Sequence, residues 1–126
     1  LDEISPYAKT NVIQLKDGKI SEIVINPKEL NVNGNNFKNL IGDDAKFNAN
    51  KMINIFKGED NDFSKAVCLN AAAGLIVNET HQKFTDAYNN TREHILSNKV
   101  IKHLEKIQNG WKCSWKNNSK EKWKNS

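Results

Sequence analysis

Asp2 and Glu3 place two carboxylates side by side. Adjacent carboxylates can hold Mg²⁺, a hard cation that takes oxygen ligands and often bridges to substrate phosphates. Taken alone, such a pair is more often ordinary solvated charge. The other reactive side chains form no complete constellation. His81, His94 and His103 fall on expected helices, but there is no HExxH pattern, and the spacing of His94 and His103 does not gather them on one helix face. Ser5 lacks the context of a nucleophile elbow. Cys68 lies in an apolar stretch and reads as core rather than nucleophile. Neither a phosphate loop of the Walker type nor a glycine-rich dinucleotide loop occurs.

The elements that must position these groups belong to one domain. The 126 residues are enough for a real core. The longest apolar stretch, Ala66 to Val77, is too short to span a membrane. The start of the sequence shows no basic-then-apolar pattern, so no secretion signal is expected. Two cysteines make neither a disulfide scaffold nor a zinc site, so a reducing, cytoplasmic setting is expected. The sequence opens on Leu1 and its only methionine is Met52, so the chain is expected to be processed or part of a longer reading frame.

The net charge of +4 suggests nucleic acid until its distribution is read. Residues 1–109 balance 14 basic against 14 acidic residues, and the whole excess sits in residues 110–126 with all three tryptophans. A neutral body therefore carries a short basic, aromatic tail, expected to be disordered. The 20 asparagines and the near absence of arginine read as genome composition.

Two β-prone runs, Asn11–Lys16 and Ile20–Ile25, flank a turn at Lys16-Asp17-Gly18-Lys19 and predict a hairpin. Asn26-Pro27 ends it. Residues 31–36 read as a loop. A helix capped by Asp43 or Asp44 shows Ala45, Ala49, Met52, Ile53 and Phe56 on one face and stops at Gly58. A second helix, capped by Asp62, runs to about Val77. It is apolar on most sides and predicted to be packed on both. A third begins near Thr80, with Phe84, Ala87, Tyr88, Thr91 and Ile95 on its face, and breaks at Ser97-Asn98. A last helix carries Val100, Ile101, Leu104 and Ile107. A two-stranded hairpin is marginal alone. The strands are therefore expected to extend a sheet whose other strands lie outside this chain.

Five ordered segments carry a family resemblance. They are Leu1-Asp2-Glu3-Ile4-Ser5 with the hairpin, Ile25-Asn26-Pro27-Lys28-Glu29-Leu30, Leu40-Ile41-Gly42-Asp43-Asp44-Ala45 with Asn48-Ala49, Val67-Cys68-Leu69-Asn70-Ala71-Ala72-Ala73, and Ile95-Leu96-Ser97-Asn98-Lys99-Val100. In that order, over residues 1–109, they resemble the anthranilate phosphoribosyltransferase family. The sequence departs from the family pattern at Tyr7-Ala8-Lys9-Thr10, Asp43 and Asn98, which are loop or cap changes. Residues 110–126 match nothing in the family and read as a natural extension or a shifted frame.

The resemblance implies an α/β fold: the C-terminal portion of the large α/β domain of the nucleoside phosphorylase/phosphoribosyltransferase-like fold, a hairpin followed by helices. It implies transfer of the phosphoribosyl group of phosphoribosyl pyrophosphate to anthranilate, in tryptophan biosynthesis. Asp2 and Glu3 match the family's acidic pair that holds Mg²⁺. The phosphate loop, the anthranilate contacts and the helical dimerisation domain of the homodimer belong to a part absent here, so this chain is expected to be inactive in isolation. No nucleic acid and no membrane is expected as a partner. Two other readings stand beside this one. The chain can be a phosphoribosyltransferase-like homologue of other specificity, or a small binding module whose interleaved Lys and Trp residues in 110–126 engage an anionic lipid surface or single-stranded nucleic acid.

Overall fold

Asp17 and Gly18 both adopt positive φ, +50° and +73°, the pair that a two-residue hairpin turn of the primed type requires. They join strand β1 (Thr10–Lys16) to β2 (Lys19–Ile25), antiparallel, with Val12 opposite Ile23 and Leu15 opposite Ile20. The structure is a computed structural model that describes the backbone of residues 3–121 and the side chains of residues 3–110. Among the described residues the sheet has only these two strands. Alternation sends Val12, Gln14, Ile23 and Ile25 to one face, and Ile13, Leu15, Ile20 and Val24 to the other. The first face lines an open cleft against Ala73, Ile76 and Phe84. The second faces outward and is uncovered.

Four helices follow two 3₁₀ turns at Pro27–Leu30 and Phe37–Leu40: α1 (Ala45–Phe56), α2 (Asp62–Val77), α3 (Phe84–Leu96) and α4 (Lys99–Glu121). None of the described helices is long and apolar enough to cross a membrane. Asp44 caps α1, its carboxylate accepting the Phe47 N–H at 2.7 Å, and Gly58 leaves the helix at φ +97°. The expected apolar face of α1 is only partly used. Ile55 is buried and Phe56 half-buried, but Ala45, Ala49 and Met52 are exposed, because only the last turns of α1 meet the core.

Helix α2 starts where predicted, but with a different cap. Asn61, not Asp62, accepts the Ser64 N–H, and Ser64 Oγ accepts the Asn61 N–H in return, a reciprocal capping box. Asp62 is freed for another task. One side of α2 is buried through Cys68, Leu69 and Ala72. Its other side is not packed as expected: Val67, Ala71 and Gly74 are exposed, for want of a layer over them.

Helix α3 packs across the buried side of α2. Ala87 has no exposed surface, which lets the two backbones approach, and Thr91 Oγ1 donates to the Cys68 carbonyl. Tyr88 and Ile95 complete the contact, and Arg92 ties α3 to Asp60 by an ion pair. Asn98, at φ +60°, turns the chain into α4. Val100, Ile101 and Leu104 of α4 are half-buried. The helix continues through Gly110 to Glu121, over the first part of the stretch expected to lack structure. Residues 122–126 lie outside the described residues.

The core is thus centred on α2 and α3, and Leu69, fully buried, is at its middle. Leu69→Ala should cost about 3 kcal/mol, the loss of buried methyl groups plus the cavity they leave. Urea denaturation of the variant against the parent measures it.

Candidate functional site

The segment that carries the acidic pair is anchored next to it, at Ile4. Asn70, at the centre of α2, grips the Ile4 peptide from both sides: its Oδ1 accepts the Ile4 N–H at 3.0 Å, and its Nδ2 donates to the Ile4 carbonyl at 3.3 Å. The same Nδ2 donates to Ala66 O one turn back, which holds the amide in this orientation. The Ile4 side chain is itself part of the core. Ser5 then turns the chain. Its Oγ accepts the N–H groups of Tyr7 and Ala8, and its own N–H donates to Thr10 Oγ1 at the start of β1. Helix, acidic segment and hairpin are therefore joined within seven residues.

The asparagine-rich loop closes on this turn. The Gly34 N–H donates to Pro6 O at 3.1 Å, and a Cβ at Gly34 would lie 2.4 Å from the Tyr7 ring. Only glycine fits there. The Tyr7 ring meets Phe37 edge-on, at 6.3 Å between centroids.

Beneath the loop lies Asp62, 3% exposed. Burial alone would raise its pKa. The Asn39 amide, Lys65 Nζ and the Asn35 and Asn36 N–H groups outweigh that effect and hold the carboxyl well below the usual range. Lys65 also donates to the Asn33 carbonyl at 2.8 Å. Burial, with the Asp62 carboxylate as a neighbour, pushes the Tyr7 phenol up to about 12. That hydroxyl makes no hydrogen bond among the described residues.

Of the expected metal ligands, Glu3 lies in an exposed bend directly before Ile4, and Asp2 lies outside the described residues. Among the described residues no group of three or more His, Cys, Asp or Glu side chains gathers to hold a metal. Cys68 is buried, and burial pushes its thiol up to about 11, so it is unsuited to nucleophilic chemistry. His81 is not on a helix as expected. Glu79 ends α2 with φ +56° and α3 begins only at Phe84, so His81 lies in the link between them, with a buried Nδ1. The side chains of residues 111–126, on which the tail reading depends, lie outside the described residues.

The sequence reading missed Asn70 as an anchor and the 31–39 loop as a working part. Asn70 lies in a helix and the 31–39 residues in a loop, and in neither setting does anything local distinguish an asparagine that grips a distant group from one that faces water.

Residues 1–100 match the glycosyl transferase family, a/b domain, and the chain belongs to that family. It is 72% identical over 109 residues, 86% of its length, to a protein of Pelagibacter ubique named anthranilate phosphoribosyltransferase. Proteins of the same name from Petrotoga mobilis and Alkaliphilus metalliredigens are 34% and 35% identical over 107 residues, 85% of this chain. The chain spans about a third of the length of these curated relatives (33%, 31% and 32%).

Two outcomes follow from this geometry. Asn70→Ala leaves the buried Ile4 N–H without its acceptor and should cost about 2 kcal/mol. Hydrogen exchange at the Ile4 amide should rise by a larger factor than in α3, which is the signature of a local anchor. Asp62 has a lowered folded pKa, so the stability it contributes is full above the ordinary carboxylate value near 3.8 and is lost as pH falls below it. Asp62→Asn should therefore melt lower than the parent at pH 7, and the difference should shrink as the pH is taken from 5 towards 3.

Proposed function

We propose that this chain forms part of the catalytic domain of an anthranilate phosphoribosyltransferase, which joins anthranilate to the ribose of phosphoribosyl pyrophosphate and releases pyrophosphate. The observation that carries the reading is the 72% identity to the Pelagibacter ubique protein over 109 residues. The family match over residues 1–100 includes the acidic pair, the Asn70 anchor and the loop that closes over Tyr7.

Within that reaction Asp2 and Glu3 are the residues proposed to hold Mg²⁺. The donor set fits. Two adjacent carboxylates offer hard oxygens, and Glu3 is solvent-exposed. They are too few to enclose the ion alone, which suits a cation that keeps waters and shares substrate phosphate oxygens. When bound, the ion offsets the negative charge that builds on departing pyrophosphate. The protein's own contribution is placement. Asn70 fixes the peptide that follows Glu3, and the Ser5 turn fixes where the chain goes next, so the acidic pair enters the site from a rigid base. The remaining substrate contacts, the homodimer and the phosphate loop belong, on this reading, to the two thirds of the relatives that have no counterpart here. A cytoplasmic setting accompanies such a biosynthetic enzyme.

A chimera tests this. With residues 1–109 in place of the matched third of the Pelagibacter ubique enzyme, phosphoribosyl transfer to anthranilate should stay within about tenfold of the relative's rate, roughly 1.4 kcal/mol in the barrier. Asp2→Ala with Glu3→Ala in that chimera should weaken activation by Mg²⁺ by about 100-fold. An inactive, folded chimera would sink the reading. An unaltered Mg²⁺ dependence would remove the acidic pair from it.

A further inference from the structure

Two asparagine–glycine pairs occur in the sequence, Asn33-Gly34 and Asn109-Gly110. Asparagine is among the thermolabile residues, and a following glycine makes it more so. Glycine has no Cβ to hinder the approach of its backbone nitrogen to the preceding side-chain amide. The second pair lies inside α4, where the helical ladder engages the Gly110 N–H. The first lies in the loop that closes on the Pro6 turn. There the peptide that links the two residues is held at both ends. Its carbonyl, Asn33 O, accepts from Lys65 Nζ at 2.8 Å, and its N–H, on Gly34, donates to Pro6 O at 3.1 Å. Lys65 is fixed in turn by Asp62, at 3.1 Å. The neighbouring Asn36 and Asn39 spend their side chains on the Lys38 N–H and on Asp62. Asn33 is exposed and enters this network through its backbone carbonyl.

We propose that Asn33 is a site of spontaneous deamidation, that the clasp on the Asn33–Gly34 peptide sets its rate, and that the iso-aspartate product undoes that clasp. The reaction needs only water. The Gly34 nitrogen loses its proton and attacks Asn33 Cγ. A C–N bond forms, the Cγ–Nδ2 bond breaks, and ammonia leaves with a proton, giving a five-membered succinimide. Water then adds to one of the two imide carbonyls. Opening on one side gives aspartate in the normal chain. Opening on the other gives iso-aspartate, whose main chain runs through Cβ and Cγ and is one carbon longer. The attack requires the peptide to turn, which breaks the Pro6 and Lys65 contacts together. The folded loop therefore holds back a reaction to which the bare sequence is prone. The product forms at the tightest point of the loop. A Cβ at Gly34 would already collide with the Tyr7 ring, so an added main-chain carbon directly before Gly34 has no room in place. It moves the Gly34 N–H off Pro6 O and removes a brace from the turn after the acidic segment. None of this depends on the reaction that the segment serves.

Ageing the full 126-residue chain at mildly alkaline pH, with and without urea, tests the proposal. Peptide mapping by mass spectrometry follows the mass gain at Asn33 and separates the aspartate from the iso-aspartate peptide. The Asn33 amide should be lost about tenfold more slowly in the native chain than in urea, because the loop must first open locally. Asp62→Asn, which slackens the loop, should bring the native rate towards that in urea. Leu69→Ala, which weakens the core without touching the Asp62 donors, should raise it less for the same loss of stability. Asn33→Gln, which cannot close the five-membered ring, should abolish the signal at that position. Amide-resolved hydrogen exchange on the aged chain reads the consequence. The Gly34 amide should exchange faster in the iso-aspartate form than in Asn33→Asp, which carries the same charge without the extra carbon. If Asn33 keeps its amide even in urea, the site is wrong. Equal rates with and without urea, or a rate that follows Leu69→Ala as closely as Asp62→Asn, would overturn the clasp as the gate. Equal exchange in the iso-aspartate form and Asn33→Asp would overturn the release of the loop.

Discussion

A carboxylate enters a protein interior only where enough donors converge on it. Asp62 meets that condition, and much of the rest follows. Its donors come from both the 35–39 loop and the helix that bears it. The loop cannot leave without stranding the charge. Because the loop is held, Gly34 is held, and through the Gly34 N–H and the Tyr7 ring so is the turn that follows the acidic segment. The sequence reading gave Asp62 the task of capping a helix. The structure gives the cap to Asn61 and leaves Asp62 to organise the neighbourhood.

The acidic segment is therefore supported from two independent directions. Asn70 grips Ile4 from the helix below, and the loop braces Pro6 and Tyr7 from the side. Neither support uses the carboxylate of Glu3. That division is what a metal-binding reading needs, because a ligand already engaged in holding the fold is a poor ligand. Membership of the glycosyl transferase family gives such a segment a setting, and the structure supplies the means by which these particular residues hold it still.

Legibility in the sequence followed interaction range. The hairpin turn, the Asp44 cap, the stop at Gly58, the break at Asn98 and the apolar face of α3 all depend on neighbours within a few residues, and all were readable. The exposed sides of α1 and α2 were not, because periodicity reports which residues are apolar and says nothing of whether anything covers them. Asn70 acts across 66 residues and the 35–39 loop across more than 20, distances at which no local pattern carries information. The resemblance compensated in part. It singled out the segment around Asn70, but it could not say which atom held which.

The hairpin tip bears on a different problem, that of keeping such a chain in solution. Lys16 and Lys19 are paired across the strands beside the turn, a like-charge couple that costs a little local stability. Glu79 offsets one of them, at 3.5 Å and in full view of solvent. Unpaired strand edges next to an apolar face invite stacking with other molecules, the first step of cross-β aggregation. Two cations at the turn end of the ladder act as gatekeepers against that outcome. Neutralising them would make the hairpin locally more comfortable and the protein as a whole less soluble.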